Sequence, residues 1–567
     1  MSLAGKLIAF VGKRSARRFD EAARDPRRTQ TNLLMSILRR NANTEYGQRY
    51  NFASINSIAD YQKQVPLITY GDIQQDMERV AGGASNVFTA EDPVMFAQTS
   101  GTTGKPKLIP VTPTDQGQAH KDQMRTWLYH AQIAHPGILD YKVVSMVSPA
   151  IEGHTDAGLP FGSTTGHIYK NMPWLVRNAY SIPYEVFEIE DYQAKYYTIM
   201  RISLEHNVHF LATANPSSIL QLMNKTNEYS EDLIRDIRDG TLSTQQDIDQ
   251  TIRQQLARHL RPNPKRAAQL EAMRTKRDGR LLPGDNWPDL GLIGCWKGGT
   301  VGHYLEKFDS WFNPDDTRPV PVRDWGYLSS EARGSIPLSD EGSKGALTVA
   351  TNFFEFVAAD EVDARPDDPE SWPFLTAADL EMDGEYYIFV TTTSGLYRYD
   401  INDVIKVAGK YQQTSEIVFL RKGRGMTNIT GEKLSVNQVI DGVQSAARAT
   451  DITPAHFKAE ADTEGSRYIL RVEFAGRTEE KQQQAFLQEV ERYLNEVNIE
   501  YRSKRDSSRL GAMVMHVMRE GWYERGRRQL AASGKRVFQA KTEVLSRVKA
   551  DTETLRPEIE NIVELKE

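Results

Sequence analysis

The chain has 567 residues, which is more than one hydrophobic core can hold, so at least two domains are expected. Its 70 basic and 76 acidic residues give a net charge of -6 and argue against a nucleic-acid partner. Its longest apolar runs fall far short of the roughly 18 residues that a membrane-spanning helix needs, so no membrane partner is expected. The single cysteine excludes an intramolecular disulfide and favours a reducing, cytoplasmic setting.

Residues 1–90 have helical periodicity. The clearest helices are predicted at Thr31–Asn41 and Tyr70–Val80, the second after the turn at Pro66. The extreme N-terminus reads as an amphipathic surface helix, because basic residues follow its short apolar run and no small-residue cleavage site is present.

From Pro93 to about Val418, short β-type runs alternate with helical segments, which is typical of an α/β architecture. The predicted strands are Val94–Ala97, Val143–Val147, Val208–Ala212, Leu347–Ala350 and Tyr386–Thr392. The basic stretch Arg261–Arg280 is interpreted as solvated helical surface.

Beyond Arg421 the pattern changes to a compact α+β set of elements, preceded by a charged, glycine-rich segment that suits a hinge. Its predicted elements are strand Tyr468–Phe474, helix Glu479–Asn495, strand Met513–Val517 and helix Trp522–Ala532. The sequence therefore predicts an N-terminal domain at 1–424 and a C-terminal domain at 425–567.

The segment from Thr99 to Lys107 combines glycines, hydroxyl groups and lysines, which is the composition of a phosphate-binding loop. It differs from a Walker loop, because its glycines are two residues apart and Lys105 precedes a proline. Prolines at 110 and 113 exclude a following helix, so strand, loop, strand is expected. The predicted phosphate-binding residues are Thr99, Ser100, Gly101, Thr102, Thr103, Gly104 and Lys105.

This loop resembles the phosphate-binding signature of adenylate-forming enzymes, and other segments resemble the acyl acid amido synthetases of the Gretchen Hagen family. Those segments are Ser57–Tyr61, Val65–Tyr70, Tyr327–Glu331, Asn352–Phe356 and Gly395–Val404. Their order and spacing cover most of the chain. The resemblance implies a large N-terminal domain of mixed sheets with flanking helices and a small α+β C-terminal lid.

In the segment Tyr327–Glu331, an aromatic ring can stack on adenine, a hydroxyl can meet the α-phosphate and a carboxylate can hold Mg²⁺. The resemblance assigns these roles to Tyr327, Ser330 and Glu331. Without the family, the same residues are typical of a capped helix start. The family usually has a small residue where Leu328 stands.

The resemblance assigns the ribose hydroxyls to Asp403, at a predicted strand-end turn. Asn402 stands where the family commonly has glycine, and asparagine tolerates the left-handed conformation. The segment after Cys295 also resembles the one on which the family's nucleotide lies, so backbone for the adenine is expected from Gly298, Gly299 and Thr300. Cys295 itself is interpreted as a small buried hydrophobe.

By resemblance to the family, the wall of the acid pocket is expected at Gly158, Phe161 and Phe354, although Phe354 also fits an ordinary core position. In the superfamily a lid lysine reaches the phosphates, and Lys541 is the best match. Thr542, Glu543 and Val544 follow it, where related enzymes have x-Pro-Arg.

The sequence therefore predicts a ligase that uses ATP and Mg²⁺ to adenylate a small carboxylic acid and then joins it to an amine or amino acid. An acid–CoA ligase and a non-catalytic nucleotide-binding regulator remain as alternatives. No Gly-x-Ser-x-Gly elbow or His-Glu-x-x-His site supports a hydrolase.

Overall fold

The computed structural model describes residues 3–99, 107–298, 304–366, 368–523, 525–526, 544–547 and 549–565. The chain divides into two compact units: Met1–Thr99 with Leu108–Leu420 forms the first, and Arg421–Glu567 belongs to the second. The boundary predicted from the sequence, between 424 and 425, stands four residues further along the chain.

The described α-helices are α1 (Leu3–Ala23), α2 (Pro26–Arg40), α3 (Glu45–Arg49), α4 (Ile58–Gln64), α5 (Tyr70–Ala81), α6 (Pro113–Asp115), α7 (Gln123–Ala134), α8 (Thr164–Lys170), α9 (Trp174–Arg177), α10 (Tyr192–Ser203), α11 (Pro216–Glu228), α12 (Ser230–Asp239), α13 (Gln250–Ala257), α14 (Pro264–Lys276), α15 (Pro283–Asn286), α16 (Asp309–Phe312), α17 (Ala359–Ala364), α18 (Val436–Thr450), α19 (Glu480–Val497), α20 (Ile499–Asp506) and α21 (Thr552–Leu555). A π-helix, Gln116–Asp122, joins α6 to α7. No helix in these ranges is both long and apolar enough to cross a bilayer.

The described strands are β1 (Met95–Thr99), β2 (Lys107–Val111), β3 (Lys142–Ser145), β4 (Gly153–His154), β5 (Pro160–Gly162), β6 (Val208–Ala212), β7 (Leu292–Gly294), β8 (Val322–Arg323), β9 (Ser335–Ile336), β10 (Gly345–Leu347), β11 (Phe353–Ala358), β12 (Leu375–Thr376), β13 (Glu385–Thr391), β14 (Tyr399–Tyr411), β15 (Thr414–Lys422), β16 (Met426–Thr427), β17 (Leu434–Ser435), β18 (Pro454–Asp462), β19 (Arg467–Phe474), β20 (Val514–Met518), β21 (Leu545–Ser546) and β22 (Ile559–Glu564).

The two clearest helices expected near the N-terminus are confirmed as α2 and α5. The α2 helix starts where Asp25 accepts a hydrogen bond from the Arg28 N–H, with proline in the first turn. The α5 helix starts with a capping box between Thr69 and Asp72. The N-terminal helix α1 packs against α7.

Three sheets build the first unit. The strands β3, β6, β7 and β8 form a parallel sheet, as expected for alternating strands and helices. A seven-stranded sheet has the order β12-β11-β13-β14-β15-β10-β9, and a small sheet has the order β2-β1-β5-β4. The mixed α/β architecture expected from the sequence is confirmed.

One strand prediction is wrong in part. Of the predicted strand Leu347–Ala350, only Leu347 lies in β10, and residues 348–350 leave the sheet. The Thr351 N–H donates to the Thr348 carbonyl at 2.9 Å, and the Thr348 hydroxyl donates to the Arg333 carbonyl at 2.6 Å. The polar groups of Thr348 and Thr351 are therefore hydrogen-bonded within a turn and not to a neighbouring strand.

The second unit has a five-stranded sheet in the order β21-β18-β19-β20-β22, with its own hydrophobic core against α18 and α19. Its two predicted strands and the helix Glu479–Asn495 are confirmed. The predicted helix Trp522–Ala532 lies mostly outside the described residues.

Candidate nucleotide and acid site

Tyr327 and Asp403, both predicted to bind the nucleoside, lie together in the first unit. The Tyr327 hydroxyl donates to Asp403 Oδ2 at 2.7 Å, and both residues are buried. Burial, reinforced by the Asp403 charge, holds the pKa of the Tyr327 phenol well above its usual value, so the phenol stays a donor at neutral pH. Phe419 lies parallel to the Tyr327 ring, with centroids 6.2 Å apart. One hydrogen bond thus joins two of the predicted binding segments.

Asp403 does not follow a strand-end turn, so that part of the prediction is wrong. It lies within the long strand β14, where the register with β13 shifts from Ile388–Asp403 to Phe389–Asp400. Residues 401–402 therefore form a bulge, and Asn402 has a φ of 59°. The Asn402 N–H donates to Asp400 Oδ1 at 2.7 Å. The local conformation resembles a turn, but pairing with β13 continues on both sides.

Ser330 and Glu331 lie at the tip of a tight turn, and the alternative of a helix start is wrong. The Ser329 N–H donates to the Ala332 carbonyl at 2.8 Å, and Leu328 forms an antiparallel bridge with Arg333. Ser330 is partly exposed, whereas Glu331 is buried.

Gly298 is held beside the Tyr327 segment by Asp324, a residue that the sequence did not single out. The Asp324 carboxylate accepts from the backbone N–H groups of Lys297 and Gly326, each at 2.5 Å, and from that of Gly298. Burial raises the pKa of this carboxyl to about 6, and the three donors partly offset that rise. A Cβ atom at Gly298 would come within 2.6 Å of the Ser343 hydroxyl, so a larger residue there would require Ser343 to shift.

The predicted acid-wall residues occupy different settings. Gly158 is in the left-handed region, with a φ of 79°. Phe161 on β5 is partly buried, and its ring covers Gly153 so closely that a Cβ there would lie 2.4 Å away. Phe354 on β11 is fully buried in the largest core. Its assignment to a pocket wall stays a prediction.

Several predicted site residues fall outside the described residues. These are Ser100, Gly101, Thr102, Thr103, Gly104, Lys105, Gly299, Thr300 and Lys541. Thr99 is the last residue of β1, and β2 begins at Lys107, so the strands expected on either side of the loop are confirmed.

Cys295 is fully buried, as its interpretation as a small hydrophobe requires. Burial raises the pKa of its thiol far above the usual value, which disfavours the nucleophilic thiolate.

The structure also contains a buried polar group that the sequence did not predict. Arg333 Nε donates to His120 Nδ1 at 3.0 Å, and His120 Nε2 lies 3.3 Å from Asp115 Oδ2. His120 and Arg333 are 213 residues apart in the chain. Only the charge of Arg333, just after Tyr327–Glu331, offered a sequence signal.

Comparisons with known proteins identify the family. The GH3 family N-terminal domain matches residues 15–317, the central domain matches 345–422 and the C-terminal domain matches 437–550. The indole-3-acetic acid-amido synthetase GH3.2 of Arabidopsis thaliana is 25% identical over 484 residues, which cover 81% of this chain and 86% of that protein. The jasmonoyl–L-amino acid synthetase JAR4 of Nicotiana attenuata is 24% identical over 549 residues, which cover 92% of each chain.

Solved structures support the same fold. The AtGH3.15 acyl acid amido synthetase in complex with 2,4-DB has a TM-score of 0.66 and 21% identity, and the match covers 97% of both chains. The resemblance to the Gretchen Hagen (GH3) family is therefore confirmed. Because the N-terminal domain model alone matches more than half of its residues, this chain belongs to the GH3 family.

Proposed function

We propose that this chain is an ATP-dependent acyl acid amido synthetase. A carboxylate oxygen of the acid attacks the α-phosphorus of ATP, the bond to the β-phosphate breaks and pyrophosphate leaves. The amine nitrogen of an amine or amino acid then attacks the acyl carbon, AMP leaves and the nitrogen loses a proton. The products are an amide, AMP and pyrophosphate.

Membership in the GH3 family is the observation that carries this proposal, because the relatives found are named as amido synthetases. Their names specify indole-3-acetic acid and jasmonic acid, whereas we propose only a small carboxylic acid for this chain. The contact between Tyr327 and Asp403 supports a nucleoside site, since it joins an aromatic ring and a carboxylate as adenine and ribose recognition require.

Each predicted site residue has a role in this proposal. The loop Thr99–Lys105 binds the ATP phosphates, and Gly298–Thr300 with Tyr327 surrounds the adenine. Ser330 meets the α-phosphate, and Asp403 accepts the ribose hydroxyl protons. The acid lies against Gly158, Phe161 and Phe354, and Lys541 neutralises charge that develops on the phosphates.

The residues present fit ATP and Mg²⁺. The Asp403 carboxylate accepts a hydrogen bond from a hydroxyl group, that of Tyr327, which is the kind of donor that a ribose presents. Glu331 follows Ser330 directly and supplies a carboxylate oxygen, the ligand type that Mg²⁺ prefers together with phosphate oxygens. When bound, Mg²⁺ neutralises charge on the phosphates.

The alternatives are less well supported. An acid–CoA ligase shares the adenylation step, but none of the relatives reported above is named as one. We propose the cytoplasm as the compartment because the only cysteine is free and buried. Neither a nucleic acid nor a membrane is part of the proposed reaction.

The test is a set of paired reactions with ATP, Mg²⁺ and a panel of carboxylic acids, supplied with either the twenty amino acids or CoA. Mass spectrometry is expected to show an amide in the first set and little thioester in the second. A thioester formed faster than any amide would overturn amide transfer while leaving adenylation intact. No pyrophosphate release with any acid would instead favour the regulatory protein.

A further inference from the structure

Arg333 is a buried cation whose terminal amino groups are unused. Its side chain is among the buried polar groups of the first unit, and its Nε donates to His120 Nδ1 at 3.0 Å. Within the described residues, its Nη1 and Nη2 groups have no hydrogen-bond partner. Neither group is fully enclosed, so both are accessible to an anionic ligand.

The charge on Arg333 persists at neutral pH. Burial lowers the pKa of its guanidinium to about 10, and the nearby Asp115 carboxylate acts in the opposite direction. Asp115 is joined to Arg333 only through the His120 ring. A second anion in direct contact with the guanidinium would therefore add to the compensation that the described residues supply only from Asp115, through His120.

The orientation of the guanidinium is fixed from both ends. His120 accepts from Arg333 through Nδ1, so its Nε2 carries the proton that faces Asp115. At the backbone, the Arg333 carbonyl accepts hydrogen bonds from three side chains, those of Gln123, Thr348 and Asn352. A side chain held in this way is preorganised to bind a ligand of defined geometry.

Arg333 is one of the residues that line a narrow cavity of about 10 Å³. Trp127 and Trp325, whose ring centroids are 4.2 Å apart, line it together with Leu328. Gln123 also lines it, and its Oε1 is a buried acceptor without a hydrogen-bond partner in the described residues. Gln123 and Arg333 are buried, whereas Trp325 and Leu328 are partly exposed, so apolar side chains lie on the exposed side of the cavity.

This cavity matches a carboxylate better than a phosphate. The cavity has room for a single oxygen atom and none for a tetrahedral phosphate, and a planar carboxylate can pair edge-on with two guanidinium N–H groups. The apolar side chains on its exposed side suit the hydrocarbon or aromatic body of an organic acid.

We propose that Arg333 binds a carboxylate of the acid substrate, with His120 and Asp115 as positioning residues. This inference rests on the proposed function and deepens it, because it adds a charged contact to an acid site for which only apolar residues and glycine were predicted. The carboxylate is either the one that is adenylated or a second one on the same acid.

Three variants test the assignment: Arg333→Met, Arg333→Lys and the control Arg365→Met, which makes the same change at an exposed arginine paired with Glu361. For the acid that gives the fastest pyrophosphate release, Arg333→Met is expected to raise the KM at least about tenfold, because a charge-assisted pair is lost. The KM for ATP should stay within about twofold. Arg333→Lys should lie in between, since lysine keeps the charge without the planar fork. Arg365→Met should match the unaltered enzyme.

A parallel rise in both KM values would indicate a structural role and overturn the assignment, as would an unchanged KM for the acid. If Arg333→Met does not fold, Arg333→Lys decides by the same comparison. Calorimetric titration with benzoate, phenylacetate and succinate, against benzamide, phenylacetamide and succinamide, supplies a readout that does not require adenylation. The acids should bind the wild-type protein more tightly than the amides do, and this preference should disappear in Arg333→Met. A preference that persists would contradict the role of Arg333 even if no acid supports pyrophosphate release.

Succinate and its monoamide, succinamate, separate the two carboxylate sources. If Arg333 binds the reacting carboxylate, Arg333→Met weakens the binding of succinate and of succinamate to the same degree. If it binds a second carboxylate, only succinate is affected. An equal loss for succinate, succinamate and the neutral succinamide would overturn the proposal.

Discussion

The Asp403 carboxylate is buried in a strand, and its burial is stabilised by a donor from a distant part of the chain. Tyr327, 76 residues earlier, supplies that donor from the segment that also holds Ser330 and Glu331. Removing the phenol hydroxyl would leave a buried charge with one hydrogen bond fewer, which costs about 1–3 kcal/mol. The same bond orients Asp403, so a change at Tyr327 should affect nucleotide binding through the carboxylate.

We expect Asp403→Ala to weaken ATP binding at least about tenfold, because two charge-assisted contacts to the ribose would be lost. Tyr327→Phe should have a smaller effect, since the carboxylate remains. Tyr387→Phe is the control, because it removes the hydrogen bond from another buried tyrosine, on the sheet that carries Asp403, to the exposed carboxylate of Asp363. Calorimetric titration with a non-hydrolysable ATP analogue measures all three. Wild-type affinity in Asp403→Ala would exclude this residue from the site.

The residue types in the candidate site could be predicted, but their partners could not. Tyr327 and Asp403 stand in recognisable motifs, yet nothing in either motif specifies the hydrogen bond between them. Arg333 and His120 are still harder to predict, because neither lies in a motif and their contact depends on the packing of a π-helix against a turn. Sequence patterns report local periodicity, whereas these contacts are set by the tertiary fold.

At the scale of elements, the bulge in β14 determines where Asp403 lies. Two extra residues between its pairings to β13 change the register, and the left-handed Asn402 allows the strand to resume after them. Asparagine adopts this conformation at modest cost, and the Asp400 side chain stabilises it through the Asn402 N–H. The backbone conformation at Asn402 in the bulge therefore determines the direction of the Asp403 carboxylate.

Substitutions at Asn402 test this connection. Asn402→Gly should leave ATP affinity within about twofold, because glycine adopts positive φ freely. Asn402→Val should lower the free energy of unfolding by about 1–3 kcal/mol and weaken ATP binding, since a β-branched residue is strained there and relief of the strain displaces Asp403. Urea unfolding and nucleotide titration give the two quantities. Equal ATP affinity in the glycine and valine variants would show that the bulge does not position the carboxylate.

Elements with strong periodicity were predictable, and the irregular ones were not. The helix α5 and the strand β6 follow directly from hydrophobic spacing and capping residues. The polar run Asp400–Asp403 reads as a turn because Asn and Asp favour turns locally. Pairing with β13 overrides that preference, and this pairing is invisible in a short window of sequence.

For the whole molecule, each unit has hydrophobic clusters of its own and at least one histidine whose pKa burial lowers to about 4. Burial lowers the pKa of His206, in the first unit, to about 4. Burial also lowers the pKa of His516, in the second unit, to about 4, and the Arg471 charge adds to this. The Arg471 guanidinium donates to His516 Nδ1 at 2.9 Å, which requires the neutral ring.

These pKa values make both units sensitive to acid. An unfolded histidine titrates near 6.5, so between pH 6.5 and about 4 the unfolded state binds a proton that the folded state does not. The free energy of unfolding therefore falls as the pH drops through this window, by about 1.4 kcal/mol per pH unit for each histidine. Asp324 acts in the opposite direction in the first unit, because its raised pKa of about 6 lets the folded state hold a proton that the unfolded state releases.

Because the two units have separate cores, we expect the free energy of unfolding of each to change with pH independently of the other. In His516→Gln, the free energy of opening measured by amide hydrogen exchange in peptides from β19 and β20 should depend less steeply on pH. Its slope between pH 6 and 4.5 should be lower by about 1.4 kcal/mol per pH unit, because the titrating group is gone while an acceptor for Arg471 remains. Peptides from β3 and β6 should keep their wild-type slope. His206→Gln is the matched control and should give the reverse pattern. If His516→Gln leaves the β19 and β20 slopes unchanged, His516 does not titrate in this window. If it flattens the peptides of both units equally, the two cores open together rather than as independent cooperative units.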